Sequence, residues 1–308
     1  DSLPGAYTVF RVELFKGKSH FGENVTFDET LPTNYLADEV IDDNKVNELL
    51  AKKYNETIVI AEDDSEILAY LKDELSTNFR VIAVNNGYDA VKAVMDDEVS
   101  LILSDVLMPA LNGFQLCSNI KSNIATCHIP IVLLTALSDD NQRIYGIAEG
   151  ADEYIHKPFN MQYVRLKIIR IIEERKRLAS TFAQKFGRLT RHEAANLPCV
   201  DDVFRDKLFN LIEAQHSDSN FKIELMSDML GMSRILLYRK ITSIFGMSPS
   251  DLLRNYRLQK AVQLLTDQRR NVSEVAYIVG FSSPAYFAKC FKSVYNMTPT
   301  EYMYRTRE

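Results

Sequence analysis

Nowhere does the chain hold an apolar run approaching the roughly 18 residues that a membrane-spanning helix needs, and no signal peptide is visible at its start. Cysteine is scarce and scattered. Cys117, Cys127, Cys199 and Cys290 show no metal-type pairing, so reduced thiols in a reducing compartment are expected rather than a zinc site or a disulfide scaffold. What remains is ordinary: 308 residues, 46% apolar and 25% charged, which is a globular composition long enough for two domains. The chain starts at Asp1 rather than Met, and a fragment or a processed chain is expected. Charge is uneven. From Asp201 onward there are 15 Lys and Arg against 12 Asp and Glu, a balance of +3, while the whole chain carries −6, leaving −9 on residues 1–200. An acidic front and a mildly basic back suggest different partners for each half.

Residues 1–55 carry few element signals. Tyr7–Phe15 alternates like a strand, and the acidic stretch through Asn44 reads as linker. From Thr57 the pattern becomes strand and helix in alternation. Apolar strands are expected at Thr57–Ala61, Val81–Val84, Leu101–Ser104, Ile129–Thr135 and Ala151–His156. Five strands with intervening helices predict an α/β fold, a doubly wound five-stranded parallel sheet. Glu62-Asp63 follows the first strand, Asp105 the third, Thr135 the fourth and Lys157 the fifth. In a parallel sheet these positions share one edge, where ligand sites lie. Three carboxylates meeting there repel unless a cation joins them. Hard oxygen donors with open positions suit Mg²⁺, and a metal beside Asp105 would let it meet a phosphoryl group. Lys157 and the Thr135 hydroxyl could hold phosphoryl oxygens. An aspartate-nucleophile phosphatase would need a second acid two residues after the nucleophile; Leu107 stands there.

With the acidic pair, Asp105 before Met108-Pro109 and Asn112-Gly113, Thr135-Ala136 and Lys157-Pro158-Phe159 in order, residues 57–178 resemble a two-component receiver domain of flavodoxin-like fold. The resemblance implies Asp105 as phosphoacceptor. It implies Glu62, Asp63, Asp105 and the Leu107 backbone carbonyl as Mg²⁺ ligands, Thr135 and Lys157 as phosphoryl-binding residues and Tyr154 as the aromatic switch. It also implies a cis peptide at Lys157-Pro158. Leu107 and Leu137, two residues after Asp105 and Thr135, cannot position an attacking water as polar side chains there can, so a long-lived phosphoryl group is expected. Helix 161–178 has apolar spacing and many basic residues; it reads either as the last receiver helix with a solvated face or as a dimerising helix, the basis for expecting a homodimer. A linker is expected over 179–200.

The back half repeats itself about fifty residues apart. Ile223–Gly231 matches Val272–Gly280 in a small residue at the fifth position and Gly at the ninth, and Ser243–Ser250 matches Ser293–Thr300. This is helix-turn-helix grammar, with the small residue admitting a neighbouring helix and Gly making the turn. Each Gly precedes a candidate recognition helix, Ser233–Ser243 and Pro284–Ser293, and an amphipathic helix over Ser250–Thr266 separates them. Two such helices on a rod could enter successive major-groove faces. Leu237-Tyr238-Arg239-Lys240, Gly246-Met247-Ser248-Pro249, Ile278-Val279-Gly280-Phe281 and Tyr286–Phe291 make residues 201–308 resemble an AraC/XylS-type DNA-binding domain, all-α with a double helix-turn-helix. By position Ile235, Tyr238 and Arg239 would face bases from the first helix, with Arg234 and Lys240 beside them. Pro284, Ala285 and Lys289 would do so from the second, a set poor in hydrogen-bonding groups and suited to gripping the backbone.

Gly5–Val12 and Gly17–Phe21 resemble the last strand and exit of a histidine-kinase ATP-binding domain. No nucleotide-binding motif accompanies them, so this stretch would not phosphorylate from ATP and is not expected to be an enzyme. The order of parts, 1–55 kinase tail and linker, 56–178 receiver, 179–200 linker and 201–308 DNA binder, resembles the C-terminal part of a hybrid two-component regulator. The expected function is a phosphorylation-controlled transcription regulator. Its expected partners are double-stranded DNA and a histidine kinase domain on the same parent chain. A cytoplasmic location follows, with the parent chain anchored in the inner membrane. The alternative is a phosphoryl sink whose helical C-terminal domain binds protein.

Overall fold

A computed structural model describes residues 43–136, 150–186, 201–266 and 270–305, together with two short strands near the start, Ser2–Leu3 (β1) and Tyr7–Thr8 (β2), which pair antiparallel. The remainder of the Tyr7–Phe15 strand, the kinase-tail segment beyond Thr8, Leu137, Cys199 and residues 187–200 of the expected linker lie outside the described residues.

Strands Thr57–Ala61 (β3), Arg80–Val84 (β4), Leu101–Asp105 (β5), Ile131–Thr135 (β6) and Glu153–His156 (β7) form one sheet in the order β4-β3-β5-β6-β7, every pair parallel. Burial on both faces explains why β3, β5 and β6 read as unbroken apolar runs. Side chains alternate between two cores. Ile58, Ile60, Leu101, Leu103, Val132 and Leu134 pack on one face against Leu71, Leu75, Val164 and Ile168. Val59, Ala61, Ile102, Ile131 and Leu133 pack on the other against Ala90, Val94, Leu116 and Ile120.

The helices begin where side chains can satisfy their first N–H groups. Asp64 caps Ser65–Ser76 (α2), Asn86 caps Gly87–Asp96 (α3), and Asn112 caps Gly113–Ser122 (α4) in a capping box with Gln115. A further helix, Asp43–Ala51 (α1), falls inside the stretch read as linker. Its Leu49 and Leu50 pack against the first core, and the Asn78 amide donates to the Leu50 and Lys52 carbonyls at 2.8 and 2.7 Å.

Met161–Phe186 (α5) corrects the expected linker start at 179. The helix continues to Phe186, and Ala179, Phe182 and Phe186 are buried. Phe182 and Phe186 stack at 5.1 Å, and both meet Phe209. Each buried ring contributes roughly 1.5–3 kcal/mol, so the receiver's last helix is also part of the next core.

That core is closed by Asp202–Gln215 (α6), Ile223–Leu230 (α7), Arg234–Phe245 (α8) and Pro249–Thr266 (α9). A separate core joins the end of α9 to Val272–Ile278 (α10), Pro284–Tyr295 (α11) and Pro299–Arg305 (α12). The repeat is therefore two helix-turn-helix units on one rod of 18 residues, about 27 Å long at 1.5 Å per residue. The small residues Ser227 and Ala276 are buried as the spacing predicts, and Gly231 and Gly280 take φ values of 65° and 88°. A Cβ on Gly280 would sit 2.1 Å from the His216 carbonyl oxygen, so only glycine fits this turn.

Candidate functional site

All five strands run the same way, so their C-terminal ends meet at one edge, and the expected polar residues converge there. The ligand oxygens of Glu62, Asp63 and Asp105 lie within 4.8 Å of one another. Glu62, Asp105 and Thr135 are buried, Asp63 is exposed, and Lys157 is half-buried between them. The Lys157 ammonium lies 2.8 Å from Glu62 Oε2 and 3.0 Å from Asp105 Oδ2. The other Asp105 oxygen accepts from the Val106 N–H at 2.7 Å. Lys157 N–H donates to the Thr135 carbonyl at 2.7 Å, tying β7's exit to β6's. The Lys157-Pro158 peptide is cis.

The loop after β5 returns tightly. Gly113 opens α4 so close to the site that a Cβ there would meet the Asp105 carbonyl oxygen at 2.3 Å; the glycine lets α4 start against the backbone of Asp105 itself. The Leu107 side chain points outward, 58% exposed. Tyr154 is half-buried among the residues of the second core.

Burial disfavours the charge on Glu62, and Asp105 nearby adds to this; together they outweigh Lys157 and raise the Glu62 pKa. Burial works against the Lys157 charge too, but hydrogen bonds to Glu62 and Asp105 overcome it and raise its pKa, so Lys157 stays cationic. Three carboxylates face one ammonium, an excess of negative charge with a solvent-facing member, Asp63. That donor set, oxygen only and partly open, fits a hard divalent cation such as Mg²⁺.

The expected DNA-facing residues divide. On α8, Ile235 is 63% and Tyr238 49% exposed, and Arg234 is exposed beside Glu224 at 3.1 Å. On α11, Ala285 and Lys289 are exposed and Pro284 is half-buried at the first turn. Lys240 is corrected. Its side chain is fully buried and cannot reach DNA. Its ammonium lies 2.6 Å from Asp201, 3.2 Å from Cys127 Sγ and 4.6 Å from the Phe204 ring centre, and it donates to the Ile124 carbonyl. Arg239 is half-buried and engaged: it donates to the carbonyls of Met95, Asp96 and Asp97 at 3.3, 2.8 and 2.9 Å. Sequence reasoning missed Asp201 and Cys127 as partners. The signal for Lys240 was present, because 237, 240, 241 and 244 form one inward helical row.

Comparison with known proteins assigns the two halves. Residues 58–169 match the family model for the response regulator receiver domain, and residues 226–305 match a helix-turn-helix domain. The chain is 35% identical to Histidine kinase P4 of Formosa agariphila over 98% of its own length and 22% of that protein's. It is 38% identical to Transcriptional regulatory protein GltR of Pseudomonas aeruginosa over 36% of its length and 47% of the relative's. It thus spans about a fifth of the first and half of the second. Among solved structures, the signal receiver domain of a signal transduction histidine kinase from Syntrophus aciditrophicus is 34% identical, with 40% of this chain and 93% of that one covered and a TM-score of 0.38.

Proposed function

Because this chain belongs to the response regulators that join a receiver domain to an AraC-type helix-turn-helix domain, we propose that phosphorylation of Asp105 controls how its two recognition helices bind double-stranded DNA. The observation that carries this is the meeting of Asp105, the acidic pair, Thr135 and Lys157 at one sheet edge of a chain whose α5 runs on into the helix-turn-helix core. An Asp105 carboxylate oxygen attacks phosphorus of a phosphohistidine donor. The phosphorus–nitrogen bond breaks and its electron pair leaves with the imidazole. Lys157 and the Thr135 hydroxyl hold the phosphoryl oxygens. Glu62, Asp63, Asp105 and the Leu107 carbonyl would hold Mg²⁺, which when bound neutralises charge developing on the phosphoryl group. Tyr154 is the residue that repacks on phosphorylation. The kinase domain that supplies the phosphoryl group lies on the same parent chain, and α5 is the helix through which two copies would pair. DNA as partner puts the working place in the cytoplasm. No helix among the described residues is long and apolar enough to cross a membrane, and an inner-membrane anchor belongs to the parent chain.

The site reading is tested with acetyl phosphate and gel detection of phosphoprotein. Asp105→Asn should abolish labelling, chelation should suppress it in the wild type, and Asp63→Ala should weaken it. Undiminished label on Asp105→Asn would refute the assignment.

A further inference from the structure

The end of α1 is held by side chains of the receiver. A helix leaves its last carbonyls without intrahelical partners. Here the buried Asn78 amide donates to those of Leu50 and Lys52 at 2.8 and 2.7 Å, and Arg165 of α5 donates to Leu50 as well, at 3.0 Å. Arg165 also donates to the Asn78 side-chain oxygen at 2.9 Å, so the two donors brace each other. Beyond the helix, the Tyr54 N–H donates to the Asn78 carbonyl at 2.7 Å. The buried Tyr54 ring stacks on Phe79 with centres 5.2 Å apart. Its hydroxyl donates to Glu173 of α5 at 3.0 Å, and the Lys52 ammonium meets the same oxygen at 3.0 Å. Burial opposes the Glu173 charge, but the hydrogen bonds from Lys52 and Tyr54 outweigh it and lower the Glu173 pKa. The exposed Lys52–Glu173 pair adds little alone. The buried amide and the packing of Leu49 and Leu50 on the first core fix the segment.

We propose that residues 46–54 are a docking segment through which the chain preceding the receiver acts on the helix-turn-helix half by way of α5, independently of Asp105. The surface it fits is the face of α5 that carries Arg165 and Glu173, together with Asn78 beside it. Asn78 and Glu56 precede β4 and β3, so the dock lies at the opposite edge of the sheet from Asp105. α5 then runs unbroken into the next core, with neither proline nor glycine from Met161 to Phe186 and hence no site for a sharp kink. From Glu173 to Phe182 the axis advances about 14 Å at 1.5 Å per residue. Phe182 meets Phe209 of α6 at 6.3 Å and Phe245 of α8 at 4.8 Å. One rod therefore touches the docking segment at one end and the helix-turn-helix core at the other, and a displacement of residues 46–54 reaches Phe182 without crossing the sheet edge. Tyr163, Arg170, Glu174 and Arg177 are exposed along another side of α5, at helical spacing, so docking does not compete with pairing there.

Amide hydrogen exchange on the full chain, read by peptide mass, tests this without phosphoryl donor. Leu50→Asp places a charge on the apolar face of α1 and alters no residue of the receiver site or of the helix-turn-helix units. It should release residues 46–54 and also speed exchange of residues 179–186 at least about threefold, the size of a modest coupling between sites. A duplex selected from genomic fragments should bind about threefold more weakly, because the core that seats α8 is loosened, while labelling of the variant by acetyl phosphate stays at the wild-type level. If Leu50→Asp loses that labelling and so fails to fold, Arg165→Met, which keeps the packed stem and removes one donor to Leu50, takes its place in the same comparison. Release of residues 46–54 with wild-type exchange at 179–186 would overturn the inference. So would residues 46–54 that exchange freely in the wild type, or that stay protected in both variants. Failure of the wild type itself to bind any duplex would instead overturn the regulator reading, and the exchange comparison would still decide whether α1 acts through α5.

Discussion

Lys240 shows how one residue's place decides its role. It lies on the row of Leu237, Ile241 and Ile244, so helical geometry carries its ammonium inward although its charge suits DNA. Burial opposes the Asp201 charge, but hydrogen bonds from Cys127, Lys240 and the Phe204 N–H outweigh it and lower the Asp201 pKa. Asp201→Ala leaves the ammonium buried without its counter-charge and should cost about 3–5 kcal/mol in urea melts, whereas Lys240→Met together with Asp201→Asn should cost far less. His128 gives a pH signature. Burial first, then the charges of Lys240 and Arg175, hold its pKa well below the ordinary 6.5. Below about pH 6.5 the unfolded chain therefore takes up a proton that the folded chain refuses, so this stability is full above that pH and is lost as pH falls. Melting temperature should drop between pH 7 and 5, and His128→Leu should flatten that drop; an unchanged profile would show that the imidazole is already charged when folded. Leu107 has no packing role at 58% exposure. Leu107→Asn should shorten the half-life of the phosphoryl group, because an amide there can orient water, and a half-life unchanged or longer would count against that account.

Elements were legible where one period ran unbroken. β3, β5 and β6 announced themselves as buried runs, and the double helix-turn-helix was readable because its Gly, its small residue and its Ser/Thr-Pro start occur twice. α1 was not legible, because its acidic composition masked a short apolar face whose partner, the first core, is distant in sequence. The end of α5 was missed for a related reason: Arg175, Lys176 and Arg177 interrupt the apolar row that Ala179, Phe182 and Phe186 resume. The docking of Arg239 on carbonyls leaves no trace in sequence, since backbone acceptors are the same at every position. The two recognition helices should differ in DNA. With phosphoryl donor present, Arg239→Ala should cost about 1–3 kcal/mol and relax preference at one base position. Lys289→Ala should weaken binding evenly across sequences and lower the salt slope by about one unit. Binding to a randomised duplex library at two salt concentrations separates these, and equal loss of base preference in both variants would contradict the asymmetry.

In the whole molecule, the acidic edge at Asp105 and the basic helices of the second half are joined by α5 and by the far ends of α3 and α4. The carboxylates of Glu62, Asp63 and Asp105 gather at the sheet edge, while the residues from Asp201 onward carry a net charge of +3. The central claim is that the state of Asp105 sets DNA affinity. Titrating a selected duplex with the full chain, with and without acetyl phosphate and Mg²⁺, tests it most directly, with Asp105→Asn alongside. Wild-type protein should bind at least about tenfold more tightly when phosphorylated, with affinity falling as salt rises, while Asp105→Asn stays at the unphosphorylated value under both conditions. Equal affinity of phosphorylated and unphosphorylated wild type would contradict the account.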